Sequence, residues 1–117
     1  MERNMKPIGE IIGEYRNRTG ATQVQIAAMA GIDQATVSRL QKRTECRPID
    51  PQAMDTFRGI ARAFGLPLDH FPEVRVFQVQ QLVGLYPDLV DTFYEGLIEG
   101  ARVRARETGD RRLDHLL

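Results

Sequence analysis

The sequence predicts an all-α protein, on three observations. Apolar residues recur at helical spacing through most of the chain. Helix-starting residues and helix-stopping glycines bracket those runs in pairs. Residues 74–79 (VRVFQV) partly alternate, which would suit a strand, yet Pro72 and the following QQLVGLY favour a helix there. The expectation is a five-helix domain over residues 1–72 and a C-terminal helical segment over 73–117.

The first helix is expected from about residue 7 to 18. Pro7 suits the opening turn, Ile8, Ile11, Ile12 and Tyr15 form the buried stripe, and Gly20 ends it. Residues 22–43, TQVQIAAMAGIDQATVSRLQKR, then hold two short helices either side of Gly31. Thr22 and Gln25 have capping-box spacing, and Ile26, Ala27 and Ala30 follow at helical intervals. Gly31 can take the left-handed conformation that ends a helix, with Ile32 tucked under the turn. Asp33 is a good N-cap for the second helix, 33–43, whose apolar face is Val37 and Leu40.

The other face of that second helix carries Gln34, Ala35, Ser38, Arg39, Lys42 and Arg43. An amide suits adenine, a guanidinium guanine, a small methyl thymine, and cations phosphate. The stretch reads as a helix-turn-helix with 33–43 as its recognition helix. Asp50-Pro51 starts a fourth helix lined by Met54, Phe57, Ile60, Ala61 and Phe64 and closed by Gly65. Leu66, Leu68 and Phe71 suggest a short fifth helix over the core, and Pro72 marks the domain's end.

Beyond it, Pro87 opens an expected amphipathic helix to about residue 106, with Leu89, Val90, Phe93, Leu97, Ala101 and Ala105 in its stripe. Gly96 and Gly100 would each cost that helix about 1 kcal/mol, which suggests close packing by another helix. The rival readings are chance and, for the segment as a whole, folding back on its own domain. A stripe this apolar makes a second copy of the chain the expected partner, with Leu89, Val90, Phe93, Leu97 and Ala101 as the dimerisation residues.

Composition narrows the function classes. The formal net charge is zero, but residues 34–47 hold Arg39, Lys42, Arg43 and Arg47 against Glu45 alone. After residue 72 there are eight carboxylates against six arginines. Local basic charge suits a binding face. The single cysteine, Cys46, excludes an intrachain disulfide, and its neighbour Arg47 makes a redox-active thiol conceivable. No stretch has the roughly 18 apolar residues of a membrane span, and no signal peptide is recognised. A cytoplasmic protein is expected. His70 and His115 lack ligand spacing, so no metal or other cofactor is expected. No phosphate-binding glycine loop is present, and no enzymatic activity is expected.

On these residues, the segment 8–71 resembles the phage lambda repressor and Cro type of helix-turn-helix domain, also called the xenobiotic-response-element (XRE) family of regulators. Gln23 opens the first helix of the motif, Ala27 sits where its helices touch, and Gly31 occupies the turn. Ile26, Ile32, Val37 and Leu40 match the core positions, and ATVSRL is close to the recognition-helix wording. The resemblance implies that Gln34 aims its amide at adenine N6 and N7, and that Gln23 binds phosphate and braces Gln34. The helix face adds Ala35, Ser38 and Arg39 as expected base contacts, with phosphate the alternative target of Arg39; Thr22, Lys42, Arg43 and Arg47 are assigned with Gln23 to the DNA backbone. Arg16 would point towards the end of the recognition helix, where Gln41 replaces the usual carboxylate; losing such an ion pair costs only about 0–1 kcal/mol. The loop 44–50 is longer than the family's.

The resemblance also bears on the overall activity. Some relatives carry a self-cleaving serine–lysine domain, but here Ser38 is the single serine and Lys6 and Lys42 the only lysines, so that chemistry is not expected. The expected function is a homodimeric repressor binding a near-palindromic site on double-stranded DNA. The alternative is an antitoxin-like regulator whose C-terminal helices bind a partner protein.

Overall fold

In the computed structural model, which describes residues 3–117, the second, third and fourth helices each start at a side chain that satisfies an orphaned backbone N–H group. Six α-helices are present: α1 (Ile8–Thr19), α2 (Gln23–Ala30), α3 (Gln34–Gln41), α4 (Pro51–Phe64), α5 (Pro72–Leu85) and α6 (Tyr94–Thr108). Among the described residues, two 3-10 turns join α4 to α5 and α5 to α6, a third follows α6, and there is no strand. The expected all-α class is therefore observed, and residues 74–79 are helical.

Thr22 and Gln25 form the complete capping box at the start of α2. Asp33 caps α3 by accepting the Thr36 N–H at 2.7 Å, and Asp50 caps α4 through Ala53 at 2.8 Å. At the other end of α2, Gly31 is left-handed and the Ile32 N–H returns to the Ala27 carbonyl. That six-to-one bond fixes the turn into α3.

The chain divides into two compact units, residues 1–80 and 81–117. In the first, Ile8, Ile12, Ile26, Val37, Phe57, Ile60, Phe71 and Val74 are fully buried. Tyr15 stacks on Phe64 with ring centroids 3.9 Å apart, closing α1 against α4. Phe71 meets Phe57 edge-on.

Two glycines allow backbones to touch. A Cβ on Gly9 would lie 2.1 Å from the Arg43 carbonyl oxygen, and one on Gly59 would lie 2.2 Å from that of Ala30. Gly9 thus seats α1 against the end of α3, and Gly59 seats α4 against the end of α2. Any larger residue would push these helices apart.

The domain does not end at residue 72. Pro72 opens α5, whose first turn buries Pro72, Glu73 and Val74. Proline is tolerated there because the first turn needs no intrahelical N–H, so it starts the helix that the sequence reading took it to precede. The expected fifth helix over 66–71 is instead one 3-10 turn, Leu68–His70. Pro67, extended at ψ 149°, keeps Leu66 and Leu68 from joining one helix.

The second unit, taken by itself, has no buried side chain. Its expected single helix from Pro87 is broken: Pro87–Thr92 is a 3-10 turn, and α6 starts only at Tyr94. Phe93 at the junction has φ −132° and ψ −2°. Thr92 donates its hydroxyl to the Leu89 carbonyl, and the Phe93 N–H bonds Val90, so three-residue bonding displaces α-helical bonding. Leu89 and Val90 consequently lie on the turn and Phe93 at the break, while Leu97 and Ala101 lie on α6; they do not form one continuous stripe. Gly96 and Gly100 have open space where a Cβ would stand, so among the described residues no close helix contact explains them.

Candidate nucleic-acid interface

The face of α3 opposite Val37 and Leu40 presents the residues expected to touch bases. Gln34, Ala35 and Arg39 are exposed, and Ser38 is half-buried beside them. Arg39 bends back along its own helix and donates to Thr36 Oγ1 at 3.1 Å, leaving the rest of its guanidinium open. Lys42 is exposed at the end of α3, Arg43 is half-buried, and Arg47 is exposed on the irregular loop before α4. Thr22 and Gln23 stand at the start of α2, where free N–H groups and the helix dipole favour an anion.

The structure joins Gln23 to Gln34. Gln34 Nε2 donates to Gln23 Oε1 at 3.3 Å, and Gln23 Nε2 donates to Gln41 Oε1 at 2.9 Å. Arg16 Nη1 donates to the same Gln41 oxygen at 2.8 Å, while Arg16 Nε donates to the Ala21 carbonyl. A hydrogen-bonded chain therefore runs from α1 through the end of α3 to the start of α2 and back to the exposed amide of α3. The Arg16 contact expected to be lost is retained, because a carboxamide oxygen accepts where a carboxylate would.

Asp33 holds the first turn of α3 in a form that depends on its charge. Hydrogen bonds from Thr36, first from the side chain and then from the backbone, hold its carboxyl below the ordinary 3.8, with Arg39 adding to the effect.

Two further residues stabilise the domain in ways the sequence reading missed. Glu73 is buried, and its Oε2 accepts the Ile8 N–H at 2.9 Å; Oε1 has no partner. Pro7 offers α1 no side-chain cap, so a residue from α5 supplies it. Arg75 donates to the carbonyls of Asn4, Asp69 and His70, holding the irregular segment before α1 against the 3-10 turn. Both residues follow Pro72, the residue taken as the domain's end.

The surroundings of Cys46 do not favour a reactive thiolate. Burial pushes the thiol up, the Glu73 carboxylate adds to the rise, and Arg75 offsets only part of it. A thiol in that state carries little of the reactive thiolate at neutral pH.

Among the described residues, no group of three or more His, Cys, Asp or Glu is placed to hold a metal ion. No described helix is long and apolar enough to cross a membrane. No protein-family model matches the chain, and no curated protein matches it at a significant level.

Proposed function

We propose that this chain is a sequence-specific regulator of transcription that reads double-stranded DNA through the major groove with α3. The observation that carries the reading is the paired amides of Gln23 and Gln34. One stands at a helix start suited to phosphate, the other on the exposed face of the next helix, and a hydrogen bond locks them together. A group that fixes register beside a group that reads a base edge is what direct readout requires. The arrangement of α1–α4 also supports the lambda-repressor-like reading, with α2 and α3 as its helix-turn-helix. In this reading Ala35, Ser38 and Arg39 share the base contacts with Gln34, and Thr22, Lys42, Arg43 and Arg47 join Gln23 on phosphates.

The regulator acts as a homodimer and a repressor of the promoter it occupies. The exposed apolar side chains of the second unit, including Leu89, Phe93 and Leu97, support a second copy as the partner. A two-fold dimer presents its recognition helices about 34 Å apart, matching half-sites one DNA turn apart. The same uncovered surface favours one second reading, an antitoxin-like regulator whose C-terminal unit holds a different protein.

Selection from a random duplex library at near-physiological salt tests both. A symmetric consensus supports the dimeric DNA reader. A single half-site removes the symmetric dimer, and absence of any enrichment removes DNA recognition and leaves the protein-partner reading.

A further inference from the structure

Arg16 gives the amide chain a direction. A guanidinium has only donors, so the atom facing it at 2.8 Å must be the oxygen of Gln41. Gln23 shares that oxygen at 2.9 Å and must present its NH2 group to it. The Gln23 oxygen is then turned towards Gln34, which must in turn present its own NH2 group, at 3.3 Å. Each carboxamide is oriented by the one before it, and the sequence ends at an exposed side chain. With one Nε2 hydrogen engaged by Gln23, Gln34 offers outward an oxygen acceptor and one remaining N–H.

We propose that Gln41, anchored by Arg16, is a positioning residue that selects the base read by Gln34, although both residues are half-buried. The inference rests on the DNA-binding reading above. A fixed acceptor beside one donor matches adenine, whose major-groove edge pairs the N6 donor with the N7 acceptor. It mismatches guanine, whose O6 and N7 are both acceptors. A freely rotating amide would present two donors to guanine as readily. Fixing the polarity therefore converts a permissive side chain into a discriminating one.

The test is library selection with the full chain and three variants, with thermal melts alongside. Gln34→Ala first identifies the consensus position that Gln34 reads, as the one that flattens. At that position the wild type should favour adenine over guanine by about tenfold or more. Gln41→Glu keeps an acceptor for both Arg16 and Gln23 and should preserve the preference. Gln41→Leu removes the acceptor and should bring the adenine-to-guanine ratio near one while the rest of the consensus persists. Arg16→Met, which removes the orienting donor without touching Gln41, should act in the same direction and serves if Gln41→Leu does not fold. A merely structural role would lower the melting temperature and affinity while leaving the ratio unchanged, and that result overturns the proposal. So does a wild-type preference for guanine at that position. A wild type that enriches no sequence fails the DNA reading itself, a different outcome from either of these.

Discussion

The Glu73 carboxylate caps α1 by accepting the Ile8 N–H at 2.9 Å, from the far end of the domain. Removing the acceptor leaves a fully buried donor without a partner, which costs about 1–3 kcal/mol. Glu73→Ala should lower stability by that amount in denaturant titration. A midpoint unchanged from wild type would show that water or a shifted backbone replaces the carboxylate.

The glycines of this chain should respond to alanine in opposite ways. Gly59→Ala places a methyl against the Ala30 carbonyl and should destabilise by about 1–3 kcal/mol. Gly96→Ala meets open space within α6 and should stabilise that helix by about 1 kcal/mol. Melting curves with sedimentation measure both effects. If Gly96→Ala instead dissociates an assembled dimer, the close packing expected at that glycine lies between copies.

Charge at Asp33 should make α3 acid-sensitive. Its folded pKa lies below the ordinary 3.8, so its contribution is fully present above that value and is lost as pH falls through the lower folded one. A carboxyl NMR titration should place its midpoint below that of an unstructured aspartate. Asp33→Asn keeps an N-cap and should remove this part of the pH dependence. A midpoint at the ordinary value would contradict the Thr36 hydrogen bonds.

Gln34 and Lys42 should fail differently on DNA. Gln34→Ala should cost about 1–3 kcal/mol and relax one base position, whereas Lys42→Ala should weaken all sequences alike and lessen the salt dependence. Binding isotherms over a salt series, on consensus and scrambled duplexes, separate the two. Equal losses on both duplexes for Gln34→Ala would remove it from base readout.

Leu97 tests the second unit. It is 60% exposed on α6, so Leu97→Arg should weaken self-association in sedimentation without changing the melting of the first unit. An unaffected dimer would exclude the Leu97 face as its interface.

Local signals made much of this legible in advance. The capping box at Thr22, the caps at Asp33 and Asp50 and the glycine stops lie within a few residues of what they act on, and α1–α4 followed from them. The resemblance singled out Gln23 and Gln34 together, and the structure joins them by a hydrogen bond. The misses involve distance or competition. Glu73 and Ile8 are 65 residues apart, and no periodicity announces such a contact. Gly9 and Gly59 read as ordinary glycines until the opposing carbonyl is known. At Thr92, the preference of a hydroxyl for a nearby carbonyl outweighed a well-formed apolar stripe. Gln41 was read as a lost ion pair because a carboxamide's direction is set by its neighbours.

The cap from Glu73 also gives this protein a timetable. Synthesis delivers the chain from its N-terminus at about 5–20 residues per second. When Ile8 leaves the ribosome, the group that closes its helix has not been made, nor have Phe71 and Val74. The first unit therefore cannot complete its core as it emerges; it waits for α5. A premature stop after Pro72 would release α1–α4 with the cap missing. The quality-control machinery would then meet a nascent polypeptide whose first helix had begun but not finished folding.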